Sequence, residues 1–311
     1  MKVVFMGTPD FSVPVLKKLV GNGYQVAAVY CRPDQPSGRG RDLLAPPVKR
    51  AALGLGLKVI QPASLKKEAV VAELAAFEPD IIVVAAFGMI LPQAVLDIPK
   101  LGCLNIHPSL LPRHRGASPI TAAILAGDEF TGVSIILLNA GLDTGPLLSK
   151  VQIPIKNQDT TGSLTDRLSV IAAQLLSEVM ATYPAGELVP QAQSVAGATY
   201  SGTIKKSDGK IDWHLPAFTI WRQVRAYQPW PGSYTGWQGR TLKIMEAVPL
   251  LAAGDISPGQ VVDMNKEDIA FGVGTGDGML GVLKVQLEGK KAMSSAEFLR
   301  GQRSFASAVL D

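Results

Sequence analysis

The chain has 311 residues, of which 47% are hydrophobic and 18% are charged, and its formal net charge is +4. This length predicts two domains that each bury a core, and apolar runs shorter than about 18 residues exclude a membrane-spanning helix. The modest positive charge permits a polyanionic partner without requiring one.

The N-terminal segment, residues 1–11, has the pattern of a strand, a glycine turn and a helix start. Its apolar run reaches Gly7 and Pro9 too early for a secretory signal, so we expect a cytoplasmic protein. A strand, turn and helix in this order often bind phosphate, but Gly-x-Gly-x-x-Gly is missing and Pro9 lacks an N–H. Dinucleotide binding is therefore disfavoured.

Short β-branched runs alternate with helical patterns through the first half of the chain. The strands are predicted at 3–6, 26–31, 81–86, 103–107 and 133–138, and the helices near 11–20, 117–125 and 163–182. The run at 81–86 is apolar on both faces, which is typical of a strand covered by helices on each side. We predict a doubly wound, Rossmann-like α/β domain with a parallel sheet over residues 1–188.

The second half has a different pattern. Residues 189–206 are rich in Gly, Ala, Ser, Gln and Thr without helical periodicity, as in a linker. Beyond them, short strand-like runs spaced by Gly and Pro predict a small antiparallel β-barrel over residues 207–311. The glycine-rich stretch 272–278 lies between two such runs and is interpreted as a turn.

One polar pair ends an otherwise apolar strand. Asn105 and His107 are two positions apart, so their side chains face the same way, at the carboxyl edge where open α/β sheets bind ligands. Pro108 and Pro112 stiffen the loop that follows. Burying an unpaired amide or imidazole costs about 1 to 3 kcal/mol, so this pair needs internal partners or a ligand.

Asp143 lies in a Gly-bounded turn directly after the predicted strand 133–138, and we expect it near a strand carboxyl edge as well. An amide, an imidazole and a carboxylate at one place suit acyl transfer to an amine. Asn105 can donate to the oxyanion, His107 can shuttle the proton, and Asp143 can orient the imidazole ring or a water molecule.

Neither a metal site nor a disulfide is predicted. Cys31 and Cys103 each lie in an apolar run, as small buried side chains do. The histidines lack the spacing of a metal-binding motif.

These residues resemble the methionyl-tRNA formyltransferase family over nearly the whole chain. The matching segments are 7–11, 84–92, 105–116 and 141–145. The resemblance implies that Asn105, His107 and Asp143 are catalytic and that 10-formyltetrahydrofolate is a co-substrate, with no metal and no tightly bound cofactor. The folate-binding residues that it implies are Phe87, Gly88, Met89, Ile90, Leu91, Ser109, Leu110, Leu111 and Pro112. One departure is Pro108, where some relatives have Gly.

The acceptor is inferred from two other segments. Residues 32–42 resemble the family's inserted basic loop, which enters the acceptor stem of the initiator tRNA, so Arg39 and Arg41 are predicted to bind tRNA. The alternative is an ordinary solvated loop. Segments 211–213 and 225–232 resemble the family's added oligonucleotide-binding (OB)-like barrel, which holds the tRNA. The four tryptophans can stack on bases, although core packing is the more frequent use.

We therefore expect a monomeric enzyme that formylates initiator methionyl-tRNA. Two alternatives stay open at this point. A folate-dependent formyltransferase acting on a nucleotide sugar or a ribonucleotide would share the catalytic core but leave the second domain unexplained. A noncatalytic RNA-binding protein with a degenerate α/β scaffold would not need an intact Asn105, His107 and Asp143.

Overall fold

The computed structural model describes residues 1–37, 42–251, 256–264 and 268–311. The chain forms two compact units. Unit 1 comprises residues 1–119, 130–154 and 165–201, and unit 2 comprises residues 120–129, 155–164 and 202–311.

The first two-thirds of the chain contain eleven strands and six α-helices within the described ranges. The strands are β1 (Lys2–Gly7), β2 (Gln25–Tyr30), β3 (Gln35–Ser37), β4 (Asp42–Leu44), β5 (Val59–Ile60), β6 (Ile81–Ala85), β7 (Cys103–His107), β8 (Arg115–Gly116), β9 (Phe130–Leu137), β10 (Leu147–Pro154) and β11 (Tyr200–Ser201). The helices are α1 (Val13–Gly21), α2 (Pro47–Gly54), α3 (Glu68–Ala75), α4 (Gln93–Leu96), α5 (Pro119–Ala126) and α6 (Thr161–Thr182).

Seven of these strands form the main sheet of unit 1, in the order β10-β9-β7-β6-β1-β2-β5. Five neighbouring strands of this sheet pair in parallel, in the order β7-β6-β1-β2-β5. This confirms the doubly wound α/β prediction. All five residues of β6 are buried, as expected for a central strand covered on both faces. The sheet is not parallel throughout, because β9 pairs antiparallel with both β7 and β10.

Unit 2 contains an antiparallel sheet, as predicted. Its strands are β12 (Ser233–Trp237), β13 (Arg240–Leu250), β14 (Val261–Asp263), β15 (Phe271–Gly274), β16 (Met279–Leu287) and β17 (Met293–Ser294). They lie in the order β12-β13-β16-β15-β14, with β17 paired to β16. The chain beyond residue 202 also forms two α-helices, α7 (Ala217–Ala226) and α8 (Ser295–Gly301). The closure of this sheet into a barrel stays a prediction.

The core of unit 2 is organised around aromatic rings. Phe305 has no exposed surface, and its ring centroid lies 5.0 Å from that of Trp237 and 4.9 Å from that of Phe271. Trp213 is buried too, and its indole N–H donates to the Thr235 hydroxyl at 3.0 Å. Trp213 and Trp237 are therefore core residues, which agrees with the packing interpretation for these two tryptophans.

Two further sequence expectations concern the cysteines and membrane-spanning helices. Cys31 and Cys103 are buried free thiols, as predicted. Within the described ranges, no helix combines the length and the hydropathy that a bilayer-spanning segment requires.

Replacing Phe305 with Ala should lower the free energy of unfolding by about 3 to 5 kcal/mol, because it removes a ring from a closed aromatic cluster. Urea unfolding of the full chain measures this change. The control is Val309→Ala, at a side chain that is 68% exposed, for which we expect a change within about 0.5 kcal/mol. Equal losses in both variants would contradict the assignment of Phe305 to the core.

Candidate active site beside strand β7

Two polar side chains project from the same face of β7. Asn105 lies between Val84 of β6 and Ile136 of β9, and His107 is opposite Ser134 of β9. Asn105 is half-buried, whereas His107 is 4% exposed. Since alternate residues of a strand share a face, both side chains point toward one side of the sheet.

Asp143 reaches this face by a route that strand order alone does not predict. Strand β9 runs antiparallel to β7, with Leu137 opposite Leu104, so its carboxyl end lies beside the amino end of β7. Asp143 nevertheless lies beside His107, at the carboxyl end of β7, but the end of β9 does not place it there. The loop 138–146 folds back along β7, and Asp143 takes a left-handed backbone conformation with φ of 51°.

The three predicted catalytic side chains come together. The Asn105 amide donates from Nδ2 to Oδ1 of Asp143 at 3.2 Å. The backbone N–H of Gly116 donates to Oδ2 at 2.8 Å, and Nδ1 of His107 lies 3.6 Å from the same oxygen. Asp143 thus receives two hydrogen bonds and still faces the imidazole. That these residues are catalytic stays a prediction.

The hydrogen-bond partner of Nε2 determines which tautomer the neutral His107 ring adopts. Nε2 lies 2.9 Å from the carbonyl oxygen of His114, and a carbonyl oxygen only accepts hydrogen bonds. We therefore assign the proton of the neutral ring to Nε2. The lone pair of the neutral ring is then on Nδ1, the nitrogen that faces Asp143.

Burial sets the charge of this ring. Desolvation lowers the pKa of His107 below its usual value of 6.5, with a smaller lowering contribution from His114. The Asp143 carboxylate and the hydrogen bond to the His114 carbonyl oppose this shift without cancelling it. At neutral pH the ring is uncharged and presents a free lone pair, as a proton acceptor must.

The loop after β7, residues 108–114, is hydrogen-bonded to a side chain of the neighbouring strand β9. The Ser134 hydroxyl on β9 donates to the carbonyl of Ser109 at 2.7 Å and accepts from the N–H of Leu111 at 3.1 Å. The Ser109 hydroxyl donates to the Arg113 carbonyl at 2.6 Å. Ser109 and Leu111 are buried, whereas Leu110 and Pro112 are half-buried. The backbone of this loop is therefore firmly placed.

The second predicted folate-binding segment, 87–91, follows β6. Phe87 packs in the core of unit 1, and its carbonyl accepts from the Thr8 hydroxyl at 2.9 Å. The carbonyl of Gly88 accepts from Arg32 at 2.8 Å. Met89 and Leu91 are half-buried, and Ile90 is 85% exposed. Ile90 is thus the most accessible apolar side chain of this segment.

Arg39 and Arg41 fall outside the described residues. Within the described ranges, no group of three or more His, Cys, Asp or Glu side chains is arranged to hold a metal ion.

The chain is similar to known proteins over nearly its whole length. Residues 1–180 match the family model described as formyl transferase, and residues 203–303 match its C-terminal domain. A methionyl-tRNA formyltransferase of Dehalococcoides mccartyi is 50% identical over 98% of this chain and 97% of its own length. One of Ruegeria pomeroyi is 48% identical over 97% of each chain.

The chain belongs to the methionyl-tRNA formyltransferase family.

Solved structures support the fold. A methionyl-tRNA formyltransferase from Clostridium thermocellum matches 80% of this chain and 93% of its own, with a TM-score of 0.58 and 19% identity. HypX from Aquifex aeolicus, solved in complex with tetrahydrofolic acid, matches 96% of this chain and 47% of its own, with a TM-score of 0.65 and 19% identity. At this identity the likeness establishes the fold alone.

Sequence reasoning about this family member missed several groups around the site. The backbone N–H of Gly116, the carbonyl of His114 and the hydroxyl of Ser134 all make hydrogen bonds to the predicted residues or their loop. The N–H of His114 in turn donates to the Thr199 hydroxyl at 2.8 Å. Backbone groups carry no residue-type signal, and Ser134 lies in a strand whose pattern otherwise indicates only core packing.

We expect the imidazole of His107 to titrate below pH 6.5, and to titrate lower still in Asp143→Asn, because that change removes the carboxylate that favours the cation. Nitrogen-15 NMR measures both values, and the chain has only three histidines to assign. His107→Asn identifies the His107 signals by their loss. A higher pKa in Asp143→Asn would contradict the electrostatic assignment.

Proposed function

We propose that this chain transfers the formyl group of 10-formyltetrahydrofolate to the α-amino group of methionine on initiator tRNA. The product is N-formylmethionyl-tRNA for translation initiation, and the enzyme acts in the cytoplasm as a monomer. The observation that carries the proposal is the meeting of an amide, an imidazole and a carboxylate, with Asp143 bonded to Asn105 and 3.6 Å from His107. The relatives named methionyl-tRNA formyltransferase support the choice of acceptor.

The reaction exchanges one C–N bond for another. The neutral amine attacks the formyl carbon, and a tetrahedral oxyanion forms. The bond from that carbon to the folate nitrogen then breaks, and the folate nitrogen leaves with a proton. In balance, one proton moves from the amine to the folate nitrogen, so no external oxidant, reductant or metal is needed.

Asn105 stabilises the oxyanion. Its amide nitrogen carries two hydrogens, and the hydrogen bond to Asp143 uses one of them. The second hydrogen is then available to the oxyanion, and the bond to Asp143 fixes its direction. A preorganised donor of this kind contributes about 10²- to 10³-fold to the rate in other acyl-transfer enzymes.

His107 relays the proton. The neutral ring accepts the amine proton at Nδ1, and the resulting cation is stabilised by the Asp143 carboxylate beside it. The proton then passes to the departing folate nitrogen. Burial keeps the ring ready for the next turnover, because it returns the ring to its neutral form.

Positioning supplies the rest of the acceleration. The loops at 87–91 and 109–112 hold the folate against the site, and alignment of two bound substrates can be worth effective molarities on the order of 10⁵ M or more. Arg39 and Arg41 bind the acceptor end of the tRNA, and the OB-like C-terminal domain, residues 207–311, holds the tRNA.

The acceptor is tested by incubating the protein with 10-formyltetrahydrofolate and either methionyl-initiator tRNA or free methionine. We expect formyl incorporation into the charged tRNA alone. Transfer to neither acceptor, with folate still bound, would overturn the tRNA assignment and favour a small amine.

Removing the imidazole should lower kcat strongly. For His107→Asn we expect a fall of about 10²- to 10⁴-fold, the range that a positioned acid–base group contributes. In the wild-type enzyme, kcat should rise with pH through the lowered pKa of His107 and then level off, because the ring must be neutral to accept the proton. The matched control is His214→Asn, at an exposed histidine of unit 2, which should keep the wild-type rate.

The basic segment should act on tRNA affinity. For Arg39→Ala with Arg41→Ala we expect a higher KM for the tRNA and a weaker salt dependence of binding, with a slope smaller by about one unit for each phosphate that the variant no longer neutralises. The control is Lys66→Ala with Lys67→Ala, which removes the same charge from two exposed positions. Equal effects in both double variants would reduce the role of the arginines to net charge.

A further inference from the structure

The segment 191–201, called the strap below, belongs to unit 1 although its composition predicts a linker. At its start, Gln191 and Leu147 form an antiparallel bridge, with N–O distances of 2.7 and 2.8 Å. At its end, Tyr200–Ser201 pairs in parallel with Arg115–Gly116. The strap therefore pairs with β10, directly after the loop of Asp143, and with β8, which contains Gly116.

Gln193 connects the strap to the loop of Asp143. Its side-chain nitrogen donates to the carbonyl oxygens of Asp143 at 2.8 Å and of Gly145 at 2.7 Å. Its side-chain oxygen accepts from the Arg115 guanidinium at 2.8 Å. Carbonyls accept and a guanidinium donates, so these partners determine which end of the amide is which. Both ends of the Gln193 side chain are engaged.

Arg115, the residue that donates to the Gln193 side-chain oxygen, is itself held in place. Arg115 is 5% exposed, and its backbone N–H donates to the carbonyl of Thr199 in the strap at 2.9 Å. The next residue, Gly116, donates its N–H to the Asp143 carboxylate. Gln193 thus bridges the two chain segments that meet at Asp143, one through backbone carbonyls and the other through Arg115.

Asp143 needs such support. Its φ of 51° lies in the left-handed region, which a non-glycine residue adopts at a cost and keeps only where its surroundings hold it. The residues just before it, Gly141 and Leu142, are exposed, with Leu142 at 59%. The hydrogen bonds from Gln193 to the carbonyls of Asp143 and Gly145 therefore hold the loop backbone next to the carboxylate.

We propose that Gln193 is a positioning residue for formyl transfer: its amide holds the backbone at Asp143 so that the carboxylate faces His107 and orients Asn105. This inference rests on the proposed function for the reaction, but the geometry that it explains is independent of the acceptor. Gln193 acts on the reaction through the position of Asp143, by its hydrogen bonds to the carbonyls of Asp143 and Gly145 and to Arg115.

The decisive variant is Gln193→Met, which keeps the length and most of the volume of the side chain but removes both hydrogen-bonding groups without a change of charge. We expect kcat to fall roughly 10- to 100-fold, because a misplacement of about 1 Å at a reacting group can cost up to that factor. The KM values for folate and tRNA should stay within about twofold, as for an interaction needed only in the transition state.

The matched control is Gln191→Met, the same change two positions away at an exposed side chain, which should keep the wild-type kcat. Gln193→Ala is the second variant, so that failure of one variant to fold leaves the other to decide. A fall in melting temperature alone, at unchanged kcat, would overturn the proposal and make Gln193 a purely structural residue.

The pKa of His107, measured by nitrogen-15 NMR without turnover, separates this inference from the proposed function. Asp143 and His114 are the titratable groups that act on this ring, and only Asp143 raises its pKa by charge. Displacing the carboxylate in Gln193→Met should therefore lower the pKa of His107 further and move the acid limb of the kcat profile to lower pH. An unchanged pKa of His107 overturns the proposal, even if the rate falls. If the wild-type protein does not formylate methionyl-tRNA, the proposed function fails while the NMR comparison still decides the role of Gln193.

Discussion

The carboxylate of Asp143 is the group on which the candidate site depends. It accepts hydrogen bonds from the Asn105 side chain and the Gly116 backbone, and it faces Nδ1 of His107 at 3.6 Å. A largely buried carboxylate is tolerated only when its oxygens have donors or a positive partner. Here the donors are the Asn105 side chain on β7 and the Gly116 N–H on β8. The hydrogen bonds that satisfy the Asp143 carboxylate therefore also fix the Asn105 amide and the backbone at Gly116.

Burial and charge act in opposite directions on His107. Burial favours the neutral ring, whereas the nearby carboxylate favours the cation, and the lowered pKa shows that burial has the larger effect. The result is an imidazole that is neutral at neutral pH and lies beside a carboxylate that favours its cation. A proton relay needs both properties, an acceptor before transfer and a stabilised cation after it.

The site combines a rigid sheet with loops under backbone strain. His107 and Asn105 belong to a strand in the middle of the sheet, whereas Asp143 and His114 have φ values of 51° and 57°. Each of these two left-handed residues has a hydrogen bond to the strap. The Gln193 amide donates to the Asp143 carbonyl, and the His114 N–H donates to the Thr199 hydroxyl. The strap therefore stabilises the conformations that the sheet alone does not impose.

The sequence by itself determined the α/β class, the antiparallel second sheet and the shared face of Asn105 and His107, because each depends on local periodicity. It also indicated the family through motifs that lie close together along the chain. The direction of β9 had no such signal, since an apolar run has the same pattern in a parallel or an antiparallel pair, so the route of Asp143 to β7 was decided by the tertiary structure. The same holds for Gln193, whose partners Asp143 and Arg115 lie 50 and 78 positions away. Hydrogen bonds across such separations leave no periodic trace, because only the folded chain brings their donors and acceptors together.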